Sequence, residues 1–94
     1  MMSALSIDKE LIPACSFSDQ RNNLSTDQQK INDKKLYRAM LLGNGYHNKV
    51  KISFATTEGK RQVETTVWAY TESYVILKGG VFIPVESVID VNLD

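Results

Sequence analysis

His47 is the only histidine of the chain and Cys15 the only cysteine, so acid–base, thiol or metal chemistry would have to be built on one of them. General acid–base catalysis or metal binding needs the imidazole close to carboxylates or other ligands. His47 instead stands between Tyr46 and Asn48 in a Gly/Asn-rich stretch, "GNGYHN", the setting of a surface or hydrogen-bonding histidine. Cys15 has no nearby basic group to lower its pKa and reads as a spectator thiol. Glu64 and Glu72 could be imagined as an acid pair, but a solvated strand and turn account for them equally well. The glycine-rich "LGNG" and "KGG" lack the strand–loop–helix context and the GK[ST] ending of a phosphate loop, and read as turns. We therefore expect no catalytic or metal site, no cofactor and no enzymatic activity.

A second group of residues suits binding. Trp68 and Tyr70 alternate along one stretch, Tyr74 follows across a short turn, and Lys49, Lys51, Lys60 and Arg61 lie just upstream. Aromatic rings on an exposed barrel face can stack on bases, prolines or another subunit, and cations beside them could form the basic counterpart to such a platform. The competing reading has Trp68 closing the core against a helix, with the cations on an ordinary solvated hairpin.

The elements that must carry these residues follow from periodicity. Residues 1–30 hold scattered apolar side chains and the polar tract "SFSDQRNN", without a sustained period, which predicts a flexible or loosely docked tail. Ser25 or Thr26 could cap a first helical segment and Asn32 or Asp33 a second. In "KKLYRAMLL", Leu36, Tyr37, Met40 and Leu41 would share one helical face, with Gly43 and Gly45 as the stop. A strand over "LYRAMLL" also fits so short a run. From Asn48 the period becomes two. Val50, Ile52 and Phe54 alternate with Lys49, Lys51 and Ser53; Glu58 and Gly59 supply a hairpin turn. "RQVETTVWAY" is a long second strand with Trp68 and Tyr70 on one face, "TES" a turn, "YVILK" a third strand and "GG" a tight turn. "VFIPVESVIDVNL" continues as one or two strands broken at Pro84, with a short helical turn fitting Val85–Ser87. The predicted fold is mainly β: a small five-stranded antiparallel barrel over residues 31–94, led by a short helix.

Composition bounds the rest. With 94 residues, 43% hydrophobic and 23% charged, the chain corresponds to one globular domain with a small core that self-association could reinforce. The net charge of zero conceals segregation: residues 1–29 sum to −2, residues 30–61 to +6 and residues 62–94 to −4. These blocks could neutralise one another across the fold or between subunits. A nucleic-acid binder would instead gather the basic residues on one face with little acid nearby. The start lacks the basic and apolar regions of a signal peptide, no apolar run approaches the roughly 20 residues of a membrane span, and a lone cysteine suits a reducing compartment. A cytoplasmic location, off the membrane, is expected.

The order helix, "KVKISF", turn, "VETTVWAY", "YVILK", "GG", "VFIPV", "SVIDV" resembles the Sm-like and SH3-like small barrels over roughly residues 33–93. "LLGNGYHNKVKISF", "ETTVWA" and "LKGGVFIPVESV" also resemble a group of small, functionally uncharacterised bacterial proteins. The Sm-like resemblance implies single-stranded RNA recognition by an acidic-then-Asn loop after the second strand and a basic-Gly pair near the fourth. This chain departs from that pattern: the loop is Thr71-Glu72-Ser73, and Lys78-Gly79 falls between the third and fourth strands. The expected function is a non-enzymatic interaction or assembly module, with a protein partner or a second copy of itself. The alternative is a weak RNA- or single-stranded-DNA-binding protein. Both would use Lys49, Lys51, Lys60, Arg61, Trp68, Tyr70 and Tyr74.

Overall fold

The structure, a computed structural model, describes residues 5–93. In chain order it has β1 (Leu5–Ser6), α1 (Thr26–Tyr46), β2 (Val50–Thr56), β3 (Gly59–Thr65), β4 (Val67–Tyr70), β5 (Tyr74–Leu77), β6 (Val81–Pro84) and β7 (Val88–Asn92). Short 3-10 turns occupy Lys9–Ala14, Arg21–Asn23 and Val85–Ser87. The strands form two sheets, β1-β3-β2-β7 and β4-β5-β6.

The mainly β character expected from the sequence is present, but the sheets are open and no closed five-stranded barrel is formed. The long second strand breaks at Thr66. Thr65, Thr66 and Val67 are all buried, so alternation fails there and the chain meets neighbours on both sides. Thr66 accepts a hydrogen bond from the Lys78 amide (2.9 Å), and its hydroxyl donates to the His47 carbonyl at 3.5 Å. β3 stays with the first sheet in antiparallel register with β2, while β4 joins the second. The hairpin joining β2 to β3 turns at Gly59, whose φ of 122° suits glycine.

α1 is one helix of 21 residues, not a short one with an internal cap. The Ser25 side chain caps it, accepting from the Gln28 amide at 3.0 Å, and Asp27 in the first turn complements the helix dipole. It runs through Gly43 and Gly45 and stops at His47, whose φ of 57° takes the left-handed conformation of a helix terminator. The buried face also differs from the expected one: Asn32, Leu36, Ala39 and Gly43 point inward, while Tyr37 and Leu41 are exposed. The small residues decide this. A Cβ on Gly43 would collide with the Val67 carbonyl oxygen, so bare backbone is what lets α1 lie this close to β4. α1 also packs on β7, and the Asn32 side chain donates to the Ile89 carbonyl (2.9 Å) while accepting from Gln28 (2.9 Å). The helix thereby spans both sheets over a core that includes Leu36, Ile52, Phe54, Val67, Leu77, Ile83 and Val91.

Of residues 1–30, expected as a flexible or loosely docked tail, residues 1–4 lie outside the described residues, residues 25–30 form the cap and first turns of α1, and residues 5–24 follow a defined path. β1 pairs in parallel with the outer edge of β3, covering a row of backbone groups that would otherwise be open to another strand. Ile12 is 0% exposed and belongs to the core. Phe17 packs on Phe54 with ring centroids 5.8 Å apart, and the backbone beside it exchanges hydrogen bonds with Ala55 and Thr57.

The segment is also pinned by charge. Arg21 donates two hydrogen bonds to the Asp33 carboxylate (3.0 and 2.9 Å), and Tyr70 lies near enough to interact electrostatically with the same group. The Arg21 hydrogen bonds hold Asp33 below its ordinary pKa against the opposing effect of burial. Burial, followed by the neighbouring Asp33 charge, pushes Tyr70 upward. A depressed carboxylate pKa means the unfolded chain binds more protons, so this contribution is present above about pH 4 and is lost as pH falls through the folded value. Because Arg21 and Asp33 are each about a third exposed, Asp33→Asn is expected to cost only about 1 kcal/mol near neutral pH. Urea denaturation at pH 3, 4 and 6 should show the gap between the two proteins narrowing as the pH falls; an unchanged gap would remove the triad from the stability of the fold.

Candidate functional site

The second sheet determines what the aromatic residues can do. Along β5 and β6, "YVIL" and "VFIP" contain no charged or amide side chain on either face. The register Tyr74↔Pro84, Val75↔Ile83, Ile76↔Phe82, Leu77↔Val81 sorts them into two sets. Val75, Leu77 and Ile83 are buried in the core; Tyr74, Ile76, Phe82 and Pro84 therefore lie on the outer face. Tyr74 and Phe82 are 44% and 49% exposed, with ring centroids 5.7 Å apart.

β4 adds to this face through an irregularity. Val67 pairs with Leu77, but Ala69 pairs with Ile76, so Trp68 is the extra residue at a register shift. It turns outward and is 47% exposed, whereas the competing reading had it closing the core. The shift also changes parity along the strand. Tyr70 comes opposite Val75 on the core side, packs against the core and lies near the Asp33 charge. Trp68 and Tyr70, expected on one face, are thus separated. Trp68 and Tyr74 share the outer side with Ala69, Ile76 and Phe82. Phe82 was missed from the sequence, although its strand having two apolar faces was a legible signal.

The four cations of the first hairpin lie on the other sheet. Lys51 sits opposite Glu64 and Asn92, and Lys60 opposite Ala55, on a face that also carries Asp90 at the Ser53 position. Arg61 pairs with the core residue Phe54 and so starts from the opposite face; its guanidinium folds back to donate to the Lys60 carbonyl (3.0 Å). Lys49 lines an open groove of about 600 Å³ with Lys9 and Lys78, mixed with Asp8, Glu10 and Glu64. Acid is therefore interleaved with base around Lys49, Lys51 and Lys60. The two turns at the Tyr74/Pro84 end of the second sheet are acidic: Val85 donates to Ser73 (2.9 Å), which brings the turns of Glu72 and Glu86 together.

His47 acts as the helix terminator, and Cys15 donates to the Leu11 carbonyl (3.6 Å). Among the described residues no three His, Cys, Asp or Glu side chains gather where they could hold a metal ion, and no helix is long and apolar enough to cross a membrane. The molecule belongs, by its architecture, to the class of small, mainly β domains with one packed helix. Comparison with protein-family models, curated proteins and solved structures returns no match.

Proposed function

We propose that this chain is a non-enzymatic interaction or assembly module that binds a protein through the outer face of its second sheet. The observation that carries this reading is the face formed by Trp68, Tyr74, Ile76 and Phe82, an apolar surface on which the three aromatic rings stand nearly half exposed. Solvated sheet faces ordinarily carry polar residues, and a clustered aromatic face is what an interface needs at its centre. The strand order, with one long strand bent at Thr66 and a 3-10 turn before the last strand, supports reading the two sheets as an opened relative of the SH3-like and Sm-like barrels. The lone thiol is compatible with action in the cytoplasm. Nucleic acid has less in its favour as a partner: Glu72 and Glu86 repel phosphate at one end of the aromatic face, and the hairpin cations lie on the other sheet.

The test is a photo-crosslinking amino acid in place of Phe82, irradiated in cells that make the full chain. A discrete protein adduct, absent when the probe replaces Lys60, is the expected result. Absence of any adduct at Phe82 would end the reading, and an adduct to RNA or DNA would replace it with nucleic-acid binding.

A further inference from the structure

α1 carries a second exposed apolar patch, and its chemistry complements the first. Tyr37 and Leu41 are 54% and 50% exposed, one turn apart on one face. Lys34 and Arg38 border them along a shallow groove, and Lys30 extends the row of cations at four-residue spacing. This face points away from the core, because Leu36, Ala39 and Gly43 are the residues of α1 turned inward. The outer face of the second sheet is aromatic and bordered at one end by Glu72 and Glu86. One patch is apolar and basic, the other apolar and acidic.

We infer that the partner of the second sheet is α1 of another copy of this chain, with Tyr37 and Leu41 set on Trp68, Tyr74 and Phe82. In this arrangement Lys34 and Arg38 face Glu72 and Glu86. The inference rests on the binding role assigned above to the sheet face and names its occupant. The sizes agree: from Lys30 to Leu41 the helix spans about 16 Å, and four-residue strands span about 13 Å. Charge favours a second copy over a foreign partner. The chain has a +6 middle and a −4 end, yet among the described residues one ion pair joins them, Lys35 with Asp90 at 3.7 Å. Lys49, Lys51 and Lys60 already have Glu64 or Asp90 on their own sheet, whereas among the described residues neither Lys34 nor Arg38 forms an ion pair, and an identical chain supplies Glu72 and Glu86 to meet them. Since each copy offers one helix face and one sheet face, the contact is head-to-tail and does not close at two copies by itself.

The experiment is sedimentation of the purified full chain over a concentration series, with two charge-reversed variants. The wild type should climb past twice its 10.6 kDa mass as concentration rises, and less steeply at high salt. Lys34→Glu with Arg38→Glu, and separately Glu72→Lys with Glu86→Lys, should each weaken association by about 100-fold through like-charge repulsion. Mixed in equal amounts, the two variants should associate again, because each then meets the charge it needs. The mixture also guards against misfolding, since an unfolded variant would not be rescued. A wild type that stays monomeric, or variants that associate alone as strongly as wild type, would overturn the inference. A monomeric wild type whose Phe82 probe still captures a different protein would sink self-docking while leaving the module reading intact.

Discussion

Gly43→Ala is expected to lower the stability of the fold by about 2–3 kcal/mol, although alanine is the better helix former. In an exposed helix interior the same change would gain about 0.5–1 kcal/mol. At position 43 the new methyl group would meet the Val67 carbonyl oxygen, with the Thr66 methyl also close. Backbone cannot step aside as a flexible side chain can, so α1 would have to lift from β4 and loosen the core around Leu36 and Ala39. For a domain of this size the loss corresponds to a fall in Tm of about 10–20 °C. Gly45→Ala is the control. Gly45 lies in the same helix with nothing within 4 Å of the added carbon, and should raise stability by about 0.5 kcal/mol. Opposite signs for two glycines a half-turn apart, read from urea midpoints with unchanged slopes, would establish the close approach; equal effects would refute it.

Ile12→Ala should cost about 3 kcal/mol. The Ile12 side chain is fully buried, and deleting it removes its transfer free energy and leaves a cavity beneath the 3-10 turn. Leu11→Ala, one residue away and more than half exposed, should change stability by less than about 0.5 kcal/mol. The contrast separates a docked segment from a tail. If both changes were neutral in chemical denaturation, residues 5–24 would contribute nothing to the core. If Ile12→Ala also released β1 from the β3 edge, hydrogen exchange of the Ile7 amide would quicken, because that amide donates to the Gln62 carbonyl in the β1–β3 pairing.

The parts legible in the sequence were those written in local periodicity and turn chemistry. The alternation of Val50, Ile52 and Phe54 marked β2; Glu58-Gly59 marked its hairpin, Pro84 a strand end, and Val85–Ser87 a helical turn. The pair Ser25 and Thr26 marked the start of α1, where Ser25 proves to be the cap, while the second cap expected at Asn32 or Asp33 falls inside the helix. Other features were hidden because they depend on a neighbour remote in sequence. Leu36, Tyr37, Met40 and Leu41 are the larger apolar residues of α1, and size alone chose their face as the core. The packed face turned instead around Ala39 and Gly43, because β4 offers backbone rather than a hollow. Scattered residues such as Ile7, Ile12 and Phe17 show no period, because they descend as single anchors along an irregular path.

The candidate site divides in the same way. An apolar composition on both faces of "YVIL" and "VFIP" was present in the sequence, and with it the requirement that one face be covered or left as an interface. Segregation of charge into a basic middle and an acidic end was present as well. Only the tertiary structure decided which aromatics meet. A single register shift at Trp68 reversed the parity of the strand, sending Tyr70 inward to Asp33 and leaving Trp68 outside with Tyr74 and Phe82. Period and composition are properties of neighbouring residues and survive in the sequence. A one-residue slip between paired strands, or the distance at which a helix can rest on a sheet, is set by contacts between segments far apart in the chain, and no local pattern encodes it.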